Sequence, residues 1–256
     1  MKFSIKNKSW LVSLGLVFLL SYSAVGQKDT TKVLFVGNSF TYFFNLSQVV
    51  TSMAATQDRV IYTRQSTVGG STLKQHWNEE KGTRTREMLE SQKWDYVVFN
   101  HHSLATIKNP EGFKEYSRLF TDLVRSKGAE PIFMMTWGYK ANPVMINTIA
   151  PAYEKMALDL GVHLVPCGTL FAESLKWRPN LELFQDTKHP SSNGTYLLGL
   201  SFFKYFTKMS TADIPKRLTT KDINEELLYL IFMSQDDADF LQNLVDDFEF
   251  KYYAGK

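Results

Sequence analysis

Five short runs most constrain what this chain can fold into: KVLFV (32–36), RVIYTR (59–64), DYVVFN (95–100), PIFMMT (131–136) and VHLVP (162–166). Each has the length of a strand. Most are continuously apolar rather than alternating, the pattern of strands covered on both faces. Segments suited to helices separate them: 41–55, 83–91, 110 to about 128, and 144–160, with 191–207 after the fifth run. Pro110 opens one helix, Arg125 and Lys127 sit in its last turn, and Gly128 and Gly161 supply stops. Strand–helix alternation joined by right-handed crossovers predicts a five-stranded parallel sheet in a three-layer α/β/α, doubly wound, flavodoxin-like domain.

The first 26 residues stand outside that pattern. Lys2, Lys6 and Lys8 form a basic start without an acid, residues 10–20 are apolar, and Ala24-Val25-Gly26 is a small-residue cleavage pattern. This is the layout of a secretory signal peptide cut before Gln27. The apolar run is shorter than the ~20 residues a bilayer crossing needs. A secreted or periplasmic protein is therefore expected, with no stable membrane insertion after cleavage. The formal charge of +3 belongs to the signal, since residues 27–256 hold 26 basic and 26 acidic residues. That neutrality argues against a nucleic-acid partner. Cys167 is the only cysteine, so no intramolecular disulfide can form. Residues 27–256 lack a repeat or a linker and read as one domain, with its core over about 32–208 and a helical C-terminal extension over 220–252. In that extension Phe240, Leu241, Leu244, Val245 and Phe248 oppose Asp236, Asp237, Asp239, Asp246 and Asp247, which reads as a packed helix with a solvated acidic face.

In a parallel α/β sheet, sites form at the carboxyl ends of the strands. Ser39 follows the first run, Gly69-Gly70-Ser71-Thr72 the second, Asn100 ends the third, Trp137-Gly138 follows the fourth, and Gln185-Asp186-Thr187-Lys188-His189-Pro190 lies in the connection after the fifth. All five should face one rim. A serine needs a base to take its proton, and the base needs an orienting partner. Asp186 and His189, three residues apart, can set a carboxylate on one imidazole nitrogen and leave the other free for Ser39. Pro190 suits the first turn of the following helix. Donors for an oxyanion can come from the Ser39 N–H, from Gly70, where the backbone allows close approach, and from the Asn100 amide. Trp137 is a candidate pocket wall for a sugar ring or acyl chain.

Other chemistries fit less well. A nucleophile elbow requires Gly-x-Ser-x-Gly, and Thr41 breaks that motif. His101 and His102 adjoin, but neighbours leaving a strand point to opposite faces, and no metal-ligand spacing accompanies them. His163 reads as a core histidine and His76 as a loop residue.

Taken together, Gly37-Asn38-Ser39-Phe40 and Asp186-Thr187-Lys188-His189-Pro190-Ser191-Ser192-Asn193-Gly194 resemble the first and last blocks of the SGNH (GDSL-type) hydrolase superfamily, in a secreted branch, over about residues 32–208. The resemblance implies Ser39 as nucleophile, His189 as base, Asp186 as its partner, and Gly70 and Asn100 as oxyanion donors. Asn38 stands where that block usually has aspartate, and Phe40 where it has leucine. The third block usually continues Gly-x-Asn-Asp and here reads Phe99-Asn100-His101-His102, so His101 is a second candidate for that position. The expected activity is a cofactor-independent secreted serine esterase acting on a small-molecule or glycan ester, with deacetylation of carbohydrate implied by analogy. A catalytically inactive carbohydrate-binding protein on the same scaffold is the alternative. The sequence leaves the oligomeric state open.

Overall fold

The computed structural model describes residues 29–251, so the signal-peptide reading of residues 1–26 lies outside the described residues. Strands β1 (Thr30–Gly37), β2 (Val60–Thr67), β3 (Tyr96–Phe99), β4 (Glu130–Met134) and β5 (His163–Val165) form one sheet in the order β2-β1-β3-β4-β5. Every pairing in it is parallel. The chain first steps from β1 outward to β2 and then returns to the other side of β1. The carboxyl ends of β1 and β3 therefore border the switch point at which such sheets hold ligands.

Residues of β1 explain the continuous apolar runs. Val33 and Phe35 face the helices Leu46–Thr56, Cys167–Trp177 and Ser192–Thr207. Leu34 and Val36 face Pro110–Ser126 and Ile146–Leu160. All four are fully buried, which only a sheet covered on both sides allows. Phe35 meets Phe202 edge to face at 5.1 Å, fastening β1 to the Ser192–Thr207 helix.

Three segments depart from the sequence expectation. The helix expected over 41–55 is broken: a turn of helix, Ser39–Tyr42, is followed by Phe44 (φ 47, ψ 32) and Asn45 (φ 55, ψ 46), and only then by Leu46–Thr56. Left-handed backbone at a bulky residue costs on the order of 1 kcal/mol or more. Second, the connection after β5 contains the helix Cys167–Trp177, and a short helix, Leu73–Trp77, opens on a Thr72–Gln75 capping box.

Third, the C-terminal extension is helical only in its second half. β6 (Arg217–Lys221) and β7 (Leu227–Phe232) form an antiparallel hairpin. Asp222 Oδ1 builds its turn by accepting from Asn224 N at 2.8 Å and Glu226 N at 3.0 Å. The hairpin buries Leu218, Leu230 and Ile231 in the core and is tied to the Leu46–Thr56 helix by Ser52 Oγ donating to Thr219 O at 3.0 Å. Ser234 then caps the helix Gln235–Asp247. Its acidic residues are not simply solvated: Asp236 and Asp237 pair with Arg178, and Asp246 pairs with Lys204 at 2.9 Å and accepts from Thr211 N.

Candidate active site

Ser39 is delivered by the abrupt end of β1. Asn38 leaves the strand in an extended conformation (φ −129, ψ −155) and caps the next turn through Oδ1, which accepts from Phe40 N at 3.1 Å. Its Nδ2 donates to Ser71 O at 3.2 Å and His101 O at 3.3 Å. One buried carboxamide thus holds together the loops after β1, β2 and β3. This accounts for asparagine here, because an aspartate would set a carboxylate oxygen against two carbonyl oxygens. Asn38→Asp is expected to cost about 2–4 kcal/mol, as two buried carbonyls lose a donor. Urea unfolding reads this directly, and an unchanged midpoint would show that the amide does not tie the loops.

The loop 185–190 folds back across the sheet edge. Gln185 N donates to His189 O and Ser191 N to Leu183 O, both at 2.9 Å, closing it at its base. Ser191, not Pro190, caps the Ser192–Thr207 helix; Pro190 precedes the cap and bridges Phe184. Within the loop, Asp186 Oδ1 accepts from Lys188 N and His189 N, both at 2.8 Å, and Oδ2 lies 2.7 Å from His189 Nδ1. The imidazole hydrogen bond and these two backbone donors hold the Asp186 carboxyl far below the usual carboxylate range. An ionised carboxylate can only accept, so Nδ1 carries the proton. His189 Nε2 is then an acceptor, and Ser39 Oγ lies 2.8 Å from it. Ser39, His189 and Asp186, separate in sequence except for the last pair, form one hydrogen-bonded line at the rim.

Aromatic rings brace this line. Phe43 stacks on His189 with centroids 4.2 Å apart and planes 6° apart. The left-handed Phe44 and Asn45 redirect the chain immediately after Phe43, and no glycine or proline marks that kink in the sequence. Phe40 meets the imidazole edge-on at 5.8 Å.

Trp137 borders a cavity of about 330 Å³ but presents no open ring face to a sugar or acyl chain. Its faces are covered by Phe40 at 4.4 Å and Phe171 at 4.6 Å, and it is 1% exposed. Its Nε1 donates to Lys188 O at 2.9 Å, so it supports the loop that carries His189.

The expected oxyanion donors fall into two groups. Gly70 is exposed, at the tip of a turn closed by Ser71 N donating to Val68 O at 3.1 Å. Its φ of 63° is the left-handed backbone that favours glycine at this turn position. Val68 N donates to Gly37 O at 3.2 Å, joining the turn to the end of β1 beside Ser39. Asn100 differs. Its Nδ2 donates to His101 O at 3.0 Å and to Asn38 Oδ1 at 3.4 Å, and its Oδ1 accepts from Thr41 Oγ1 at 2.6 Å. Both amide hydrogens are engaged inside, so Asn100 supports the Gly37–Asn38 backbone instead of presenting a donor outward. A Cβ at Gly37 would lie 1.9 Å from Asn100 Oδ1, so only glycine admits this arrangement. His101 also turns inward: Nε2 lies 2.9 Å from Ser117 Oγ, and the buried ring rests 4.5 Å from Phe113.

His76 is no loop residue. It is fully buried on the helix Leu73–Trp77, with Nε2 at 2.9 Å from Gly37 O and 2.8 Å from Ser71 Oγ, and Nδ1 at 2.7 Å from Thr85 Oγ1. A carbonyl only accepts, so Nε2 carries the proton and Nδ1 accepts from the threonine. The ring thereby fixes the last carbonyl of β1, two residues before Ser39.

No family model and no curated protein matches the chain. Solved structures do. A DUF4886 family protein from Bacteroides uniformis superposes with a TM-score of 0.66 at 19% identity, over 85% of this chain and 93% of that one. A candidate SGNH hydrolase from Slackia heliotrinireducens gives 0.57 at 22% identity, over 69% and 98% of the two chains. An acetyl xylan esterase from Geobacillus stearothermophilus gives 0.53 at 19%, over 68% and 93%. The five-stranded parallel sheet and its flanking helices are thus the α/β fold that this chain shares with SGNH hydrolase and acetyl xylan esterase structures.

Proposed function

We propose that the protein is a secreted serine esterase, and the observation that carries this is the Asp186–His189–Ser39 line of hydrogen bonds. In the proposed cycle His189 Nε2 takes the Ser39 proton as Oγ bonds to the ester carbonyl carbon. The oxyanion is met by the N–H groups of Ser39 and Gly70. The bond to the alcohol oxygen breaks and His189 returns the proton to that oxygen, leaving an acyl-serine. Water then attacks with His189 again as base, the acid departs, and Ser39 recovers its proton. No cofactor enters this scheme. Deacetylation of a carbohydrate is the proposed reaction class; it draws on the acetyl xylan esterases that share the fold, as does the choice of an ester as substrate. Export through a signal peptide ending near residue 26 is part of the same proposal and draws on the basic and apolar order of residues 1–26.

One observation favours the alternative, an inactive carbohydrate-binding protein: the Asn100 amide is engaged internally and leaves the oxyanion with backbone donors alone. A fluorophosphonate probe separates the two readings. With residues 27–256 folded, a single adduct on Ser39 that disappears in Ser39→Ala is expected, together with hydrolysis of 4-nitrophenyl acetate. A folded protein that neither labels nor hydrolyses would overturn the esterase reading in favour of binding.

A further inference from the structure

Beside the Ser39–His189 line, a groove of about 290 Å³ opens between the loops after β2 and β3, lined among others by Thr72, Lys74, His102, Leu104, Lys108 and Tyr116. His101, whose carbonyl Asn38 holds, lines it, and so does Thr72, next to Ser71, whose carbonyl Asn38 also holds, so it adjoins the residue preceding Ser39. A line of side-chain contacts runs from the base to the groove wall by way of Tyr139, which itself lines the neighbouring cavity. Lys188, next to His189, extends Nζ toward the Tyr139 ring at 5.8 Å, and the Tyr139 hydroxyl lies 2.8 Å from Ser103 Oγ, next to His102. Lys81 Nζ donates to Gly69 O at 3.4 Å, beside Gly70.

This rim is cationic in a domain with no net charge. None of Lys74, Lys81, Lys108 and Lys188 is paired with a carboxylate among the described residues. Of the acids nearby, Asp186 holds His189, Glu182 holds Lys140, Glu111 holds Lys114 and Glu80 accepts from Asn78, while Glu79 and Glu115 stand exposed outside the groove. No Asp or Glu lines the groove. Half-buried His102 responds to this setting: burial first, then the charges of Lys188 and Lys81, hold its imidazole below the usual range, so it stands neutral among ammonium groups. Unpaired like charges at one concave place repel one another and are relieved by an anion.

Resting on the esterase reading above, we propose that the ester taken by this site carries a carboxylate on its alcohol half, received in the groove by Lys74 and Lys108, with Lys188 next to the base. The alcohol half is assigned because His189 protonates the departing alkoxide, and the contacts from Lys188 through Tyr139 and Ser103 run from the base to His102, which lines this groove.

A matched pair tests it: 3-acetoxybenzoate, whose leaving phenol bears a carboxylate, and neutral 3-acetoxybenzamide. At low salt kcat/KM is expected to favour the anion by about tenfold, with the ratio falling toward unity in 0.5 M NaCl as the charges are screened. The double variant Lys74→Gln/Lys108→Gln should bring the ratio near unity at low salt. Equal cleavage of both esters by the wild type, abolished in Ser39→Ala, would overturn the anion preference and leave the esterase reading standing. If neither ester is cleaved, the esterase reading fails, and calorimetry with 3-hydroxybenzoate against 3-hydroxybenzamide tests the groove itself. Tighter binding of the carboxylate, lost in the double variant, supports the groove; no difference overturns it.

Discussion

Ser39→Ala and His189→Ala are each expected to lower kcat on a short acyl ester by on the order of 10⁴–10⁶-fold while leaving the fold intact, and the double variant should be no worse than either alone. The non-additivity follows from the geometry. Ser39 Oγ has one acceptor for its proton, His189 Nε2 at 2.8 Å, and without it the hydroxyl is an ordinary weak nucleophile. Asp186→Asn should cost less, about 10³–10⁴-fold, for a different reason. The carboxylate uses one oxygen for the imidazole and the other for two backbone N–H groups. An asparagine has one accepting oxygen. If it serves the backbone, its NH₂ faces Nδ1 and favours the tautomer with the proton on Nε2, where Ser39 needs an acceptor. If it serves Nδ1, the loop loses both backbone bonds. Steady-state kinetics on the four variants, with melting temperatures measured alongside, check this. Activity within tenfold of wild type in folded His189→Ala would remove the histidine from the mechanism.

What could be read from the sequence was set by how local each signal is. The five strands were legible because a strand buried on both faces must be apolar at every position, as Val33 to Val36 are. The Asp186–His189 pair was legible because three residues of separation suffices to bring the two side chains together. The break at Phe44 and Asn45 was not, since neither residue favours left-handed backbone strongly enough to announce it; packing around Phe43 and the His189 ring accompanies the distortion. The hairpin of β6 and β7 was hidden for a related reason. Its turn, Asp222-Ile223-Asn224-Glu225-Glu226, has no glycine, and Glu225 takes the positive φ of 64° that a glycine would have signalled. Trp137 does stand at a strand end, but its orientation depends on Phe40 and Phe171, residues from two other elements, and so escapes a reading by position. Asn100 is a similar case: which way its amide points is decided by Asn38, and a sequence carries no sign of that.

Acid should destabilise the fold well above the pH at which carboxylates titrate. His76 and His101 are both buried, and burial pushes their imidazoles from the usual 6.5 down to about 4 and about 3 respectively. Below pH 6.5 the unfolded chain takes up protons that the folded chain refuses, so the unfolded state binds more and stability falls as pH falls. Each histidine approaches a limiting slope of about 1.4 kcal/mol per pH unit well below pH 6.5, with about half of that at pH 6.5 itself. The loss continues until the folded-state values are reached. Half-buried His102 and His163, lowered as well, add in the same direction. Between pH 6.5 and 5, Asp186 and Asp246, both lowered, remain ionised in the folded state, so the histidines dominate the slope in that window. Urea unfolding at pH 7.0, 6.0 and 5.0 measures it, and His101→Gln, which can still hydrogen-bond Ser117, should remove the His101 share, about half of what the His76–His101 pair contributes. A stability that is flat across this range would mean that the two imidazoles are not held neutral. The consequence reaches the site, because a protonated His76 would place a charge on the fully buried ring that holds Gly37 O and turn Thr85 Oγ1 from donor to acceptor. Loss of hydrolysis on acidification should then track the unfolding of the 69–76 region, readable by hydrogen exchange, before the global transition.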